Sequence, residues 1–99
     1  MWNTLIIDAI TNNRLIEVTY HGDIRVVEPH VLGYRKNNEL ELLVWQIQNY
    51  SKSATPEWRT FKLTEITNIS LKSQYFNGSR QTISHINSNW SQILAKVKP

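Results

Sequence analysis

The fold is decided by residues 15–34, which read LIEVTYHGDIRVVEPHVLGY. Apolar and polar side chains alternate through the first part of this stretch, so that Ile16, Val18 and Tyr20 share one face of an extended chain. The triplet at 21–23, His-Gly-Asp, is typical of a tight turn between two strands. The stretch therefore predicts a β-hairpin.

Two features extend the sheet beyond this hairpin. The second strand is expected over residues 24–34 and contains Pro29, which has no N–H to donate and predicts a bend, a bulge or an edge position there. Residues 40–47, which read LELLVWQI, carry apolar side chains on both faces of an extended chain. That pattern favours a central strand that is covered on both sides.

The remaining segments complete a β-rich domain with a helix at each end. Apolar spacing predicts a helix over residues 3–12, strands over 58–63 and 68–74, and a second helix over 88–97. Short sequential strands with small turns favour a small barrel over a doubly wound sheet. We therefore expect a single domain, residues 1–99, that is mainly β with flanking helices and forms an SH3-like or Sm-like barrel of about five strands.

Composition narrows the class of protein. Hydrophobic residues make up 40% of the 99-residue chain and charged residues 19%, as in ordinary globular domains. The absence of cysteine excludes disulfides and thiolate metal sites, and it favours a cytoplasmic location. No segment approaches the ~20 apolar residues of a membrane helix, so we expect no membrane partner. The net charge of +3 permits nucleic-acid binding without requiring it.

The order of these segments resembles the WYL domain, a bacterial ligand-sensing module. The chain has an opening helix with an Ala-Ile pair at 9–10, the strand LIEVTY, the return RVVEPH, the apolar strand LELLVWQ and the segment WRTFKLTEI. The residues that match the family pattern in order are Arg25, Pro29, Arg59, Phe61, Leu63 and Ile66. The resemblance covers residues 3–74 as a core, and it leaves 75–99 as a C-terminal extension.

The chain resembles a divergent member of a family that regulates transcription, and we expect either a stand-alone sensor or accessory protein or a fragment of something longer. The resemblance implies a nucleic-acid or nucleotide-derived anionic ligand, a protein partner that carries the effector activity, and dimerisation through the C-terminal extension. Two positions depart from the family pattern. The name-giving tripeptide corresponds to residues 40–42, where its tyrosine is lost, and an expected basic residue is replaced by Glu65.

Arg25 and Arg59 are the strongest candidates for binding that ligand. Arg59 shares a strand face with Phe61, and an arginine on an apolar face costs free energy unless it is paired or holds an anion. The planar guanidinium is a fork of donors that suits phosphate. The resemblance implies that both arginines line a groove, and the alternative is an ion pair with Glu17 or Glu28 at the barrel rim.

Tyr34, Gln46, His30 and Ser51 complete the predicted ligand site. Tyr34 is a candidate platform for a base, since stacking on an aromatic ring is worth ~1–3 kcal/mol per base, and His30 lies among the aromatic residues near the arginines. Gln46 interrupts an apolar strand and Ser51 follows it, and the resemblance implies that such positions lie near the ligand. The alternative for Gln46 is hydrogen bonding to the barrel's own backbone. Trp45 is expected in the core.

The sequence offers no support for catalysis. It contains no G-x-S-x-G elbow, phosphate-binding loop or dinucleotide fingerprint, and its histidines (His21, His30 and His85) do not form a metal-binding pair. We expect a non-enzymatic protein without a cofactor.

The main alternative function is a protein-interaction or oligomerisation module that has lost its ligand. Trp2, Trp58 and Trp90 would then anchor the interface, since aromatic residues dominate such contacts. A basic stripe around the two arginines favours nucleic acid, whereas an exposed apolar patch favours a protein partner.

Overall fold

The computed structural model describes residues 2–53, 55–80 and 89–98. Within these residues the chain forms one α-helix, six strands and a single 3₁₀ turn. The elements are α1 (Asn3–Thr11), β1 (Arg14–Tyr20), β2 (Asp23–Arg35), β3 (Leu40–Asn49), β4 (Glu57–Lys62), the 3₁₀ turn (Leu63–Glu65), β5 (Ile66–Tyr75) and β6 (Trp90–Lys96). The mainly β class and the N-terminal helix are confirmed.

The predicted hairpin is formed by β1 and β2. Ile16 pairs with Val27 and Tyr20 with Asp23, in an antiparallel register without a shift. The two turn residues, His21 and Gly22, have φ angles of 51° and 78°. Positive φ at both central positions produces the twist that a tight hairpin needs, and glycine supplies it without steric cost.

The long strand β2 organises the sheet. One of its edges pairs with β3, and its other edge is shared by β1 at residues 23–27 and by β6 at residues 31–35. The register shifts between Pro29 and Val31, as expected for a proline that cannot donate to the ladder. At Gly33 a side chain would clash with β6, because a Cβ atom there would lie 2.6 Å from the carbonyl oxygen of Gln92.

The sheet order is β4-β3-β2-β1-β5, and every pairing is antiparallel. The strands at the two ends of this path, β4 and β5, are joined by only the three-residue 3₁₀ turn. These two strands are therefore consecutive along the chain although they lie at opposite ends of the path. The Lys62 N–H donates to the Tyr20 hydroxyl at 3.2 Å, and the Trp2 indole N–H donates to the Ile66 carbonyl at 3.4 Å.

The face of the sheet that packs on α1, called here the inner face, holds the core. Ile16, Val27, Val44 and Phe61 are each 0% exposed, and α1 buries Ile6, Ala9 and Ile10 against the same cluster. The other face, called here the outer face, carries the laterally paired residues Glu28, Trp45 and Trp58. Leu43 is buried as well as Val44, so the prediction that β3 is covered on both faces is confirmed. Trp45 is half-buried on the outer face and does not belong to the core.

The predicted C-terminal helix over residues 88–97 is wrong, because residues 90–96 form strand β6. Residue 88 lies outside the described residues. β1 pairs with β2 only as far as Val27, and β6 pairs with the backbone of the same edge at residues 31–35. Among the described residues, no helix has both the length and the apolar character to span a membrane.

Candidate anion-binding site

Arg25 lies on the inner face of β2, where it is enclosed by aromatic rings. Only 4% of the residue is exposed. The guanidinium carbon lies 5.4 Å from the centre of the Tyr20 ring and 5.3 Å from that of Phe61. Both distances suit cation–π attraction, which is stronger when the cation is shielded from water.

The polar contacts of Arg25 satisfy most of its donors. Nη2 donates to the Tyr20 carbonyl oxygen at 3.0 Å and to Oδ2 of Asp23 at 3.4 Å, and Nη1 donates to Oε1 of Gln46 at 3.3 Å. Within residues 2–53, 55–80 and 89–98, the buried Nε of Arg25 has no hydrogen-bond partner. Burial lowers the pKa of Arg25, and the positive charge of Arg59 lowers it further. The guanidinium is therefore a buried cation that is only partly compensated.

Asp23 is the acidic partner of Arg25 and holds the adjoining loop. Its Oδ2 accepts from the Asn49 amide at 3.1 Å and lies 3.5 Å from Nζ of Lys52. The hydrogen bond from Asn49 is the main cause of the lowered pKa of Asp23, and the Lys52 charge adds to it against the opposing effect of burial. The predicted alternatives, Glu17 and Glu28, do not pair with Arg25. Oε2 of Glu17 lies 3.9 Å from Nζ of Lys72, and Oε1 of Glu28 lies 2.8 Å from Nε of Arg80.

Arg59 lies on the neighbouring part of β4. It pairs across the sheet with Val44, and its side chain is 42% exposed. Its Nη1 lies 3.8 Å from Oε2 of Glu57, at the outer limit of an ion pair. Such an exposed pair holds its partners weakly. The buried guanidinium of Arg25 therefore has an exposed guanidinium, that of Arg59, near enough for its charge to lower the pKa of Arg25.

The structure brings only some of the predicted residues together. Gln46 is buried beside Arg25 and bonds to it directly. Ser51 is exposed in the next loop, where its N–H donates to Oδ1 of Asn49 at 2.9 Å. It is thereby linked through Asn49 to Asp23. The structure adds Asp23, Asn49 and Lys52 to the predicted set. Asp23 has a sequence signal, because it precedes Arg25 by two residues and so shares its strand face.

Tyr34 and His30 lie elsewhere. Tyr34 is near the far end of β2, opposite Leu40 and Gln92. His30 is fully buried on the outer side of β2, where its ring contacts Trp58 and Phe76. His30 follows Arg25 by five residues, so the alternation of side chains along β2 already places the two on opposite faces, with His30 on the same side as Glu28.

Glu65, which occupies the position where the resemblance leads one to expect a basic residue, binds the hairpin turn. One of its carboxylate oxygens is hydrogen-bonded to Nε2 of His21 and accepts from the Tyr20 hydroxyl at 3.3 Å. The hydrogen bond to His21 lowers the pKa of Glu65. A negative charge therefore stands beside the Tyr20 ring that covers Arg25.

The donor set at this site suits an anion rather than a metal ion. Over the described ranges, with 1, 54, 81–88 and 99 left out, no three His, Asp or Glu residues are placed to hold a metal.

No family model matches the chain, and no curated protein or solved structure gives a significant match. The inference about function therefore depends on the chemistry of the site itself.

Proposed function

We propose that this chain is a WYL-like sensing domain that binds an oligonucleotide or a nucleotide-derived anion and passes the signal to a partner protein, without catalysing a reaction. The observation that carries the proposal is the state of Arg25. It is a buried cation with an unpartnered Nε–H in the described part of the chain, and the nearby charge of a second arginine, Arg59, lowers its pKa. An arrangement of this kind gains free energy when an anion binds nearby.

The two arginines have different roles in this proposal. Arg25 is too enclosed for a large ligand to surround, so it acts mainly through its charge, in a region from which water is excluded. Arg59 makes a weak contact with Glu57 and turns towards the phosphate, where its planar fork donates two hydrogen bonds. Lys52 adds a flexible positive charge from the β3–β4 loop, and it stays close to Asp23 when no ligand is bound.

A closed small barrel is part of the same proposal. The ends of the strand path, β4 and β5, are consecutive along the chain and are separated by the Leu63–Glu65 turn. The hydrogen bond from Lys62 to the Tyr20 hydroxyl connects β4 to the strand that adjoins β5. The short turn and this hydrogen bond both support closure of the barrel.

A protein-interaction module is the second candidate, because Ile24 and Tyr50 form an exposed pair. They are 41% and 55% exposed, and the Tyr50 N–H donates to the Ile24 carbonyl oxygen at 2.9 Å. The tryptophans expected to anchor an interface are less available. Trp2, Trp58 and Trp90 are all half-buried and pack against the core. The polar site around Arg25 therefore favours the ligand-binding proposal.

The test is a set of melting temperatures with and without ligand. The ligands are short single-stranded DNA, short RNA, cyclic dinucleotides and cyclic oligonucleotides, each at low and at moderate salt. A ligand at 100 times its dissociation constant adds about 2.7 kcal/mol to the free energy of unfolding. For a domain of this size each kcal/mol raises the melting temperature by roughly 4–8 °C.

Arg59→Ala and Lys36→Ala form a matched pair of variants for this test. Each removes one positive charge, but Lys36 is exposed in the turn at the opposite end of β2. We expect one ligand class to raise the melting temperature of the wild type and of Lys36→Ala, and not that of Arg59→Ala. If both variants lose the shift equally, binding is only a response to net charge. If no ligand shifts the wild type, the proposed function is wrong and protein partners become the leading candidates.

A further inference from the structure

The residues at 76–80, called here the strap, follow β5 and are tied to three other parts of the chain. The Phe76 N–H donates to the Asn13 carbonyl oxygen at 2.8 Å, and the Ser79 N–H donates to the Lys98 carbonyl oxygen at 3.3 Å. The Arg80 N–H donates to Nε2 of His30 at 3.2 Å. The last of these bonds is the only one of the three that depends on a titratable side chain.

The side chain of Arg80 reinforces this attachment. Its Nε and Nη2 donate to the two carboxylate oxygens of Glu28, each at 2.8 Å. The guanidinium carbon also lies 4.9 Å from the centre of the Trp45 ring. Backbone and side chain of Arg80 therefore both dock on the outer side of β2, one on His30 and the other on Glu28.

The hydrogen bonds of His30 require its neutral form. Nδ1 lies 2.8 Å from the Glu28 carbonyl oxygen, which can only accept, so Nδ1 carries the proton. The Arg80 N–H can only donate, so Nε2 must offer its lone pair. The ring is 0% exposed, with Trp58 edge-on at 4.9 Å and Phe76 stacked at 5.5 Å between ring centres.

We propose that His30 is a proton-operated latch that holds the strap when neutral and releases it when Nε2 is protonated. A protonated Nε2 is a donor that faces the Arg80 N–H, also a donor, so the hydrogen bond is lost. The imidazolium would also lie in an apolar cage of Trp58 and Phe76, where a charge is poorly solvated. Release of the strap moves Phe76 off the ring and gives the imidazolium access to water.

The charged groups around the ring act in opposite directions. Burial is the main cause of the lowered pKa of His30; the Glu28 carboxylate opposes this effect, whereas the Arg80 guanidinium adds to it. The elements that pack on the ring from β4 and the strap contribute Trp58 and Phe76, which do not titrate. On the C-terminal side, Lys96 pairs with Val31 in the ladder, and the Val97 N–H donates to the His30 carbonyl oxygen.

The sign of the pH dependence follows from this arrangement. His30 takes up a proton more readily when the strap is open than when it is closed, so the closed state is favoured at neutral pH and loses stability as the pH falls. Within the interval between the two pKa values, the closed-to-open ratio decreases by about tenfold per pH unit. The loss begins near pH ~6.5, the ordinary midpoint of histidine.

Amide hydrogen exchange of the full chain, followed by NMR between pH 7.5 and pH 4.5, tests the latch, with rates corrected for the intrinsic effect of pH. We expect the protection of the Arg80 amide to fall with a slope of up to about tenfold per pH unit. The His30 ring resonances should titrate over the same interval. Amides of the β1–β5 ladder, such as that of Val18, should keep their protection and so exclude global unfolding.

Two substitutions separate the latch from general acid effects. His30→Gln places a neutral acceptor near the position of Nε2, and it should keep the Arg80 amide protected to low pH. His21→Gln removes an exposed histidine at the hairpin turn, and it should leave the transition unchanged. The latch is refuted if the protection of Arg80 does not change while the His30 ring titrates. It is refuted equally if Arg80 loses protection at the same pH in His30→Gln.

Discussion

The ion pair between Glu28 and Arg80 predicts which of the two substitutions, Arg80→Ala or Glu28→Gln, lowers the free energy of unfolding more. Glu28 is 5% exposed, whereas the Arg80 side chain is 46% exposed. Removing Arg80 leaves a buried carboxylate without its two charge-assisted hydrogen bonds. Neutralising Glu28 leaves a guanidinium that water already reaches. We therefore expect Arg80→Ala to destabilise the fold more than Glu28→Gln does.

The magnitudes follow from the burial of each partner. Breaking a fully buried pair costs about 3–5 kcal/mol, and water entering the space left by Arg80 reduces this to about 2–3 kcal/mol for Arg80→Ala. In Glu28→Gln the side-chain oxygen still accepts from Arg80, so the loss is the difference between a charged and a neutral hydrogen bond, about 1 kcal/mol. A domain of this length has a free energy of unfolding of roughly 5–15 kcal/mol, so both changes are measurable.

Urea unfolding at pH 7.5, followed by tryptophan fluorescence and circular dichroism, measures both losses. Arg59→Ala is the control, since its exposed ion pair with Glu57 should contribute less than about 1 kcal/mol. An unchanged slope of the unfolding free energy against urea would show that the variants unfold from comparable states. The reasoning is refuted if Glu28→Gln costs as much as Arg80→Ala or more.

Three further predictions concern the sheet and the candidate site. Gly33→Ala should lower the melting temperature and expose the amides of β6 to hydrogen exchange, since its Cβ would meet the Gln92 carbonyl oxygen at 2.6 Å. Phe61→Ala should cost about 3–5 kcal/mol in urea unfolding, because the ring is fully buried beside Arg25. The lowered pKa of Asp23 means that its stabilising effect is present at neutral pH and is lost as the pH falls through that pKa. Acid titration of stability should accordingly be flatter in Asp23→Asn, and equal slopes in the two proteins would contradict this assignment.

The parts of the fold that depend on local chemistry could be predicted from the sequence. The β1–β2 hairpin has alternating side chains and a glycine at the turn, and both act within a few residues. Strand β6 could not be predicted in this way. Apolar residues at positions 90, 93, 94 and 97 satisfy a helical spacing over a short segment, and the edge of β2 decides the outcome. Tertiary pairing overrides a local pattern when the pattern is short.

The candidate site likewise combines residues that have a local sequence signal with residues whose neighbours are set by tertiary pairing. The pair of Arg25 with Gln46 joins positions that are 21 residues apart, and it depends on the register between β2 and β3. Asp23 has a local signal, but Arg80 is 52 residues from Glu28 and has none. A charged residue in a loop without periodicity gives no indication of where it docks.

Strand β2 carries the anion site and the latch on opposite faces, because Arg25 and His30 are five residues apart and side chains alternate along a strand. Since proline has no N–H to donate, the ladder with β3 shifts between Pro29 and Val31, and His30 is the residue without a partner in that register. Arg25 lies on the inner face, and the ring of His30 lies among Trp58, Phe76 and the strap. Among residues 2–53, 55–80 and 89–98, the side chains of Arg25 and His30 share no hydrogen-bond or ring partner, so a variant at one site should not affect the test of the other. Arg59→Ala should leave the pH dependence of the Arg80 amide unchanged, and His30→Gln should leave the response to an anionic ligand unchanged. A variant that altered both responses would show that β2 moves as one unit and couples the two faces.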